Sequence, residues 1–208
     1  MALEATHIRF ALDLQKKYAP VDIRTYIAGT VYPDSRYVTG VDRHLTHITG
    51  DAREKLLSLG DFGKGWHAHL LCDNIQYEVT KELFPETFAE KSGQGSEGWV
   101  KHSALKVLQD IDDLSFFAIK DFLPFLDYVH NPNGEDLAVL RAYHDTFRKF
   151  YSQNRLPTFD DYYDMWKLWG VGDELASRMR RYAESYAQDK TVMQNLKKIY
   201  PQVISRAL

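Results

Sequence analysis

The chain has 208 residues, 44% of them apolar and 26% charged, the profile of a globular protein long enough to bury a core without disulfides or a structural metal. A net charge of −3 and a pI near 6.2 argue against a protein that coats duplex nucleic acid, and the single cysteine, Cys72, excludes an internal disulfide framework. The longest apolar stretch, 114–129, is broken by Lys120, Asp121, Pro124 and Asp127, so no membrane span is expected; the charged start, Met1 to Phe10, lacks the apolar segment of a signal peptide, so a cytoplasmic protein is expected.

Helical periodicity dominates. Leu3, His7, Phe10 and Leu14 recur at i, i+4, i+7 and i+11, one stripe of an amphipathic helix, with Pro20 past its end. A shorter helix is predicted over 22–30. The stretch 29–50 reads as irregular, with Pro33-Asp34-Ser35 as its turn signal, and a helical pattern resumes over 51–58. A long apolar helix is predicted over 61–84, stopped by Pro85 and weakened at its start by Gly60, Gly63 and Gly65. Residues 90–98 read as a loop, 99–113 as a helix, and 114–129 as a helix interrupted at Pro124. His130-Asn-Pro-Asn-Gly134 is a turn. Helices follow over 135–153, from Pro157 through Asp160, Asp161 and Asp164 to Gly170, and over 173–189 and 191–205. No run of alternating strands and no internal repeat appears. The prediction is an all-α single domain over 1–208, with about seven to nine helices. Residues 1–113 carry the candidate metal ligands, and 114–208 read as helical scaffold or lid.

Five of the eight histidines, His7, His44, His47, His67 and His69, fall in the first 70 residues, with Asp34 and Asp73 among and just beyond them. Imidazole and carboxylate suit zinc or another first-row divalent ion. In His69-Leu-Leu-Cys-Asp73 the polar pair is four apart and shares a helix face. That spacing suits two ligands of one ion, and equally a core histidine hydrogen-bonded to an aspartate one turn on. His7 lies on the apolar stripe of its helix, where a buried imidazole needs a partner, a backbone carbonyl or a metal. Asp34 follows Pro33, which restrains the turn; it is either an aimed ligand or an ordinary turn residue. His44 and His47 are three apart, and either can reach inward. His67 is turned away from His69 by helical geometry and reads as packing or as support behind the ligands. His102 has Lys106, not an acid, at i+4. Cys72 reads as a small buried residue.

The ordered set His7, Gly29-Thr-Val-Tyr-Pro-Asp34, Thr46-His47 and Gly65-Trp-His-Ala-His69-Leu-Leu-Cys-Asp73 resembles the zinc-dependent phospholipase C family, which shares its fold with single-strand-specific zinc nucleases. The likeness covers residues 5–80. It implies an all-α fold and a cluster of two divalent ions, most simply zinc. His47, His69 and Asp34 would hold one ion, His7 the second, and Asp73 would bridge. It further implies hydrolysis of a small phosphoester or phospholipid-like substrate by metal-activated water, with Asp34 as general base. Two departures stand out. Secreted members use their mature N-terminal amino group and carbonyl as ligands, whereas His7 here follows six residues of chain. A third ion requires a further His and a His-x-x-x-Glu; this chain has Val79 and, four after His102, Lys106.

An HD-type phosphohydrolase is the alternative enzyme, since His102, His144-Asp145 and Asp173 supply its residue order, but it leaves the N-terminal cluster unused. A non-catalytic helical binding domain is the third reading, with 13 Tyr and four Trp available for an aromatic surface.

Overall fold

Helices account for every long periodic segment in the computed structural model, which describes residues 3–89, 93 and 95–208. In chain order they are α1 (Glu4–Asp13), α2 (Gln15–Tyr18), α3 (Ile23–Val31), α4 (Arg36–Thr39), α5 (Arg43–Thr46), α6 (Asp51–Lys55), α7 (Gly60–Leu83), α8 (Glu97–Asp113), α9 (Leu137–Tyr151), α10 (Phe159–Leu168), α11 (Asp173–Gln188) and α12 (Lys190–Ala207). Eight of these have nine residues or more; the other four have five or fewer. No strand occurs among the described residues, so the protein is all-α. No helix is long and apolar enough to cross a membrane among the described residues.

The helix starts are set by side chains that accept the otherwise orphaned first N–H groups. Asp22 accepts from Arg24 N at the start of α3, Ser96 from Trp99 N at α8, and Asp136 from Ala138 N at α9. At α10, Thr158 and Asp161 satisfy each other's backbone N–H in a capping box.

Three sequence expectations need correction. The 29–50 stretch is not irregular: a 3-10 turn, Tyr32–Ser35, leads into the short helices α4 and α5. The 114–129 stretch holds no α-helix. It forms 3-10 turns at Ile119–Asp121 and Leu123–Asp127, because Pro124 has no N–H and disfavours the α conformation in the residue before it. The third concerns the glycines of α7, described below. The predicted 90–98 loop lies partly outside the described residues, and α8 begins at Glu97, two residues earlier than expected.

α7 packs against α1, α3 and α12, and α8 against α1, α11 and α12. One large apolar cluster joins Ile8, Tyr26, Ala68, Val107, Phe147 and Trp166; a second joins Phe10, Cys72, Leu105 and Leu196. The contact between α3 and α7 is nearly backbone on backbone. A Cβ at Gly65 would fall 1.9 Å from the Tyr26 carbonyl oxygen, and one at Gly29 would fall 2.1 Å from the Phe62 carbonyl oxygen. Gly65, read from the sequence only as a weak point of α7, and Gly29 of α3 are what let the two helices approach so closely. The approach sets α7 beside the turn that follows α3, and so places the residues of both.

Candidate metal centre

Four segments deliver the site. α1 carries His7 on its buried face. The 3-10 turn after α3 carries Asp34. His47 is the residue that ends α5, and α7 carries His69 and Asp73 one helical turn apart. All five are buried, His69 completely.

Each segment is pinned by hydrogen bonds outside the cluster. Tyr32, inside the Asp34 turn, donates its hydroxyl to Glu135 and accepts from Asn133 Nδ2 at 2.6 Å. Trp66 Nε1 donates to the Thr46 carbonyl at 2.6 Å, which ties the His47 segment to α7. His69 Nδ1 lies 2.9 Å from the Thr30 carbonyl. A carbonyl only accepts, so Nδ1 carries the hydrogen and Nε2 presents its lone pair to the cluster. This is the usual arrangement behind a metal-bound imidazole. His47 Nδ1 lies 3.0 Å from the Thr46 hydroxyl, leaving Nε2 to face inward.

The inward atoms are close to one another. Asp73 divides its two oxygens: Oδ1 is 3.4 Å from His7 Nε2, while Oδ2 is 3.5 Å from His47 Nε2 and 3.7 Å from His69 Nε2. Asp34 Oδ1 is 3.5 Å from His47 Nε2. Two sets of donor atoms, His7–Asp34–His69 and His47–His69–Asp73, each lie within 4.8 Å of one another. His7 Nε2, His47 Nε2, His69 Nε2 and Asp34 Oδ1 are buried without a hydrogen bond. Buried polar atoms left so are costly, and a cation is the partner that all of them can share.

The electrostatics favour the metal-binding protonation states of His7, His69, Asp34 and Asp73, with His47 the exception. Burial pushes the His7 and His69 imidazoles below the usual histidine range, and for His7 the neighbouring His69 adds to the effect, so both are held neutral. Burial alone would raise Asp34 and Asp73, but it is outweighed: His47 and His69 hold Asp34 well below the usual carboxylate range, and His69, His47 and His7 are among the groups that hold Asp73 below it. Burial would lower His47, but the Asp34 and Asp73 carboxylates outweigh it and raise it.

The other candidates fall elsewhere. His44 is exposed, so of the two neighbours it is His47 that turns inward. His67 points to another face of α7, where it meets the Tyr18 hydroxyl at 2.7 Å and Glu54 at 3.4 Å. His102 packs against Phe88 and Tyr77. His144 Nδ1 is bonded to the Leu126 carbonyl at 2.9 Å, Asp145 pairs with Arg148, and Asp173 with Lys167. Among the described residues, no cluster of ligand atoms includes His102, His144, Asp145 or Asp173.

A narrow cleft that sequence reasoning did not anticipate opens beside Asp34. Glu4, Tyr37 and Lys106 are among its polar lining residues, and Trp99, Trp166 and Trp169 among its apolar ones. The 114–208 part therefore contributes walls to this cleft through α10 and the residues after it. The aromatic richness of that region was the available signal, but helical spacing alone does not separate a cleft wall from core. Glu4 is buried, and burial, followed by Asp34 and Asp110, pushes its carboxyl well above the usual range.

An all-α protein with a buried His/Asp cluster able to hold a metal is the class that this fold and site define. No family model matches the chain, and neither the curated proteins nor the solved structures contain a significant match to it.

Proposed function

We propose that the protein is a metal-dependent hydrolase of phosphoesters, built on the plan of the zinc-dependent phospholipases C. The observation that carries the reading is the convergence of His7, Asp34, His47, His69 and Asp73, with His7 Nε2, His47 Nε2, His69 Nε2 and Asp34 Oδ1 buried and without a hydrogen bond. Donors of a tetrahedral zinc ion at about 2.0–2.1 Å stand roughly 3.3–3.4 Å apart. The separations of 3.4–3.7 Å here are close to that edge length.

His69 offers one nitrogen and so serves one ion. Asp73 faces His7 with one oxygen and His47 and His69 with the other, which suits a bridge between two ions. When bound, a pair of divalent ions supplies Lewis acidity and a water of lowered pKa.

The chain's own residues do the rest. His7 and His69 are held as neutral imidazole donors, and His47 turns its Nε2 to the same cluster. Asp34 stays ionised, lines the cleft, and is placed to accept the proton of the attacking water. The oxygen of that water forms a bond to phosphorus, the ester P–O bond breaks, and the departing alcohol takes up a proton. The tryptophan walls limit bulk water at the reacting phosphate.

The test is paired metal analysis and hydrolysis of nitrophenyl phosphoesters by tag-free protein and by Asp73→Asn. Zinc content and turnover are expected to fall together in the variant. Equal zinc content in the two proteins removes the bridging role of Asp73, and full hydrolysis by metal-free protein overturns the reading.

A further inference from the structure

Lys106 is the cation of the cleft. It sits on α8 with 8% of its surface exposed, and no hydrogen bond or ion pair joins it to any described residue. A lysine this buried ordinarily has a carboxylate partner. Here Asp34 and Asp73, which belong to the metal cluster, act on it electrostatically. Its side chain lines the same cleft as Asp34. At the edge of that cleft, the Arg36 guanidinium stacks over the Tyr37 ring at 4.0 Å, and its buried Nε has no hydrogen bond.

We propose that Lys106 binds the substrate: its ammonium receives a non-bridging phosphate oxygen while the reacting phosphorus faces Asp34, and the charge it adds selects a phosphomonoester over a phosphodiester. This rests on the hydrolase reading above. The charge argument is direct. Two carboxylates already offset half the charge of two divalent ions, so the filled site is cationic before Lys106 is counted. A buried ammonium beside it is balanced better by a dianionic monoester than by a monoanionic diester. A lysine suits this task because it acts as a point charge with three rotatable donors. The occupant is therefore a phosphate monoester.

The experiment uses zinc-loaded protein freed of excess metal, with inorganic phosphate as the probe. Phosphate affinity is measured by calorimetry above pH 8, zinc by elemental analysis, and turnover on nitrophenyl phosphate and bis(nitrophenyl) phosphate. Lys106→Met is expected to keep its zinc and to weaken phosphate binding by about tenfold or more, the value of one charge-assisted hydrogen bond. Its kcat/KM should fall further on the monoester than on the diester, and Lys106→Arg should recover most of the loss. Lys106→Gln repeats the test should the Met variant not fold. Unchanged phosphate affinity with intact zinc overturns the proposal, as does loss of zinc in Lys106→Met, which would make the lysine a support of the metal cluster. Equal losses on the two esters overturn the monoester assignment. Should the protein take up no zinc but bind phosphate in a Lys106-dependent way, the anion site stands and the hydrolase reading falls.

Discussion

The imidazoles of His7 and His69 lie face to face, 3.7 Å between centroids and 16° between planes, although one comes from α1 and the other from α7. Two imidazolium rings stacked this way would repel strongly in a buried site. The pair therefore holds together as neutral rings, the form that coordinates a metal. His69 is fixed further by the Thr30 carbonyl, whereas neither ring nitrogen of His7 has a hydrogen bond.

Substitution at two histidines of the same helix should separate ligand from packing. His69→Ala is expected to cost more than the roughly 10–100-fold in zinc affinity typical of residues behind the ligands. His67→Ala should leave zinc content unchanged and lower stability by about 1–2 kcal/mol, since it loses only its bonds to Tyr18 and Glu54. Zinc titration and urea unfolding of both variants check this. Loss of zinc from His67→Ala would contradict the arrangement.

His144→Ala distinguishes the two hydrolase readings. His144 is buried on α9 with Nδ1 at the Leu126 carbonyl, so its removal orphans that carbonyl and opens a cavity. A stability loss of about 2–3 kcal/mol with unchanged zinc stoichiometry is expected. Metal loss in this variant would favour an HD-type site instead.

Gly65→Ala should damage fold and site together. The added methyl would stand 1.9 Å from the Tyr26 carbonyl oxygen, which is backbone and has nowhere to go. α3 and α7 would have to separate, at a cost of about 3 kcal/mol. His69 lies on α7 four residues further on and is bonded to Thr30 of α3, so zinc affinity should fall with the melting temperature. Calorimetric melting with and without zinc reads both.

Asp110 predicts a pH dependence of stability. It is fully buried, accepts from the Thr6 amide and the Tyr151 and Tyr162 hydroxyls, and burial pushes its carboxyl up to about 6. A carboxyl whose folded pKa exceeds its unfolded value near 3.9 binds more protons folded than unfolded between the two. Its contribution to stability is fully present below pH 4 and is lost as pH rises through about 6. The loss is of order 2–3 kcal/mol. In Asp110→Asn that component vanishes, so the difference in unfolding free energy between the variant and wild type should shift in favour of the variant from pH 4 to pH 7. A constant difference across that range would rule the effect out.

Much was legible in the residues themselves, for a local reason. Helical periodicity and capping act over three or four positions, so the eight long helices, the stop at Pro85 and the start at Asp22 follow from neighbours in the chain. The i, i+4 spacing likewise put His69 and Asp73 on one face. Local rules failed where two segments meet. Gly63 and Gly65 read as weak helix formers, but their purpose is contact with other elements, which no neighbour in sequence reveals. The choice between His44 and His47 was open for the same reason: three residues apart, they differ only in what lies opposite. It is Trp66, bonded to the Thr46 carbonyl from α7, that accompanies the inward turn of His47.

The sequence by itself determined the helical class and put His69 and Asp73 on one helix face, and it offered His7, Asp34 and either His44 or His47 as further candidate ligands. Only the tertiary structure decided that His7, Asp34, His47, His69 and Asp73 share one buried volume, that Asp73 divides its oxygens among the histidines, and that Lys106 of α8 faces a cleft walled by Trp166 and Trp169. The reason is physical. Local torsional preferences and hydrophobic periodicity are written in short windows of chain, whereas a cluster drawn from α1, a turn, the end of α5 and α7 exists only once those elements pack, and their packing is set by close approaches such as Gly29 and Gly65 that act across the fold.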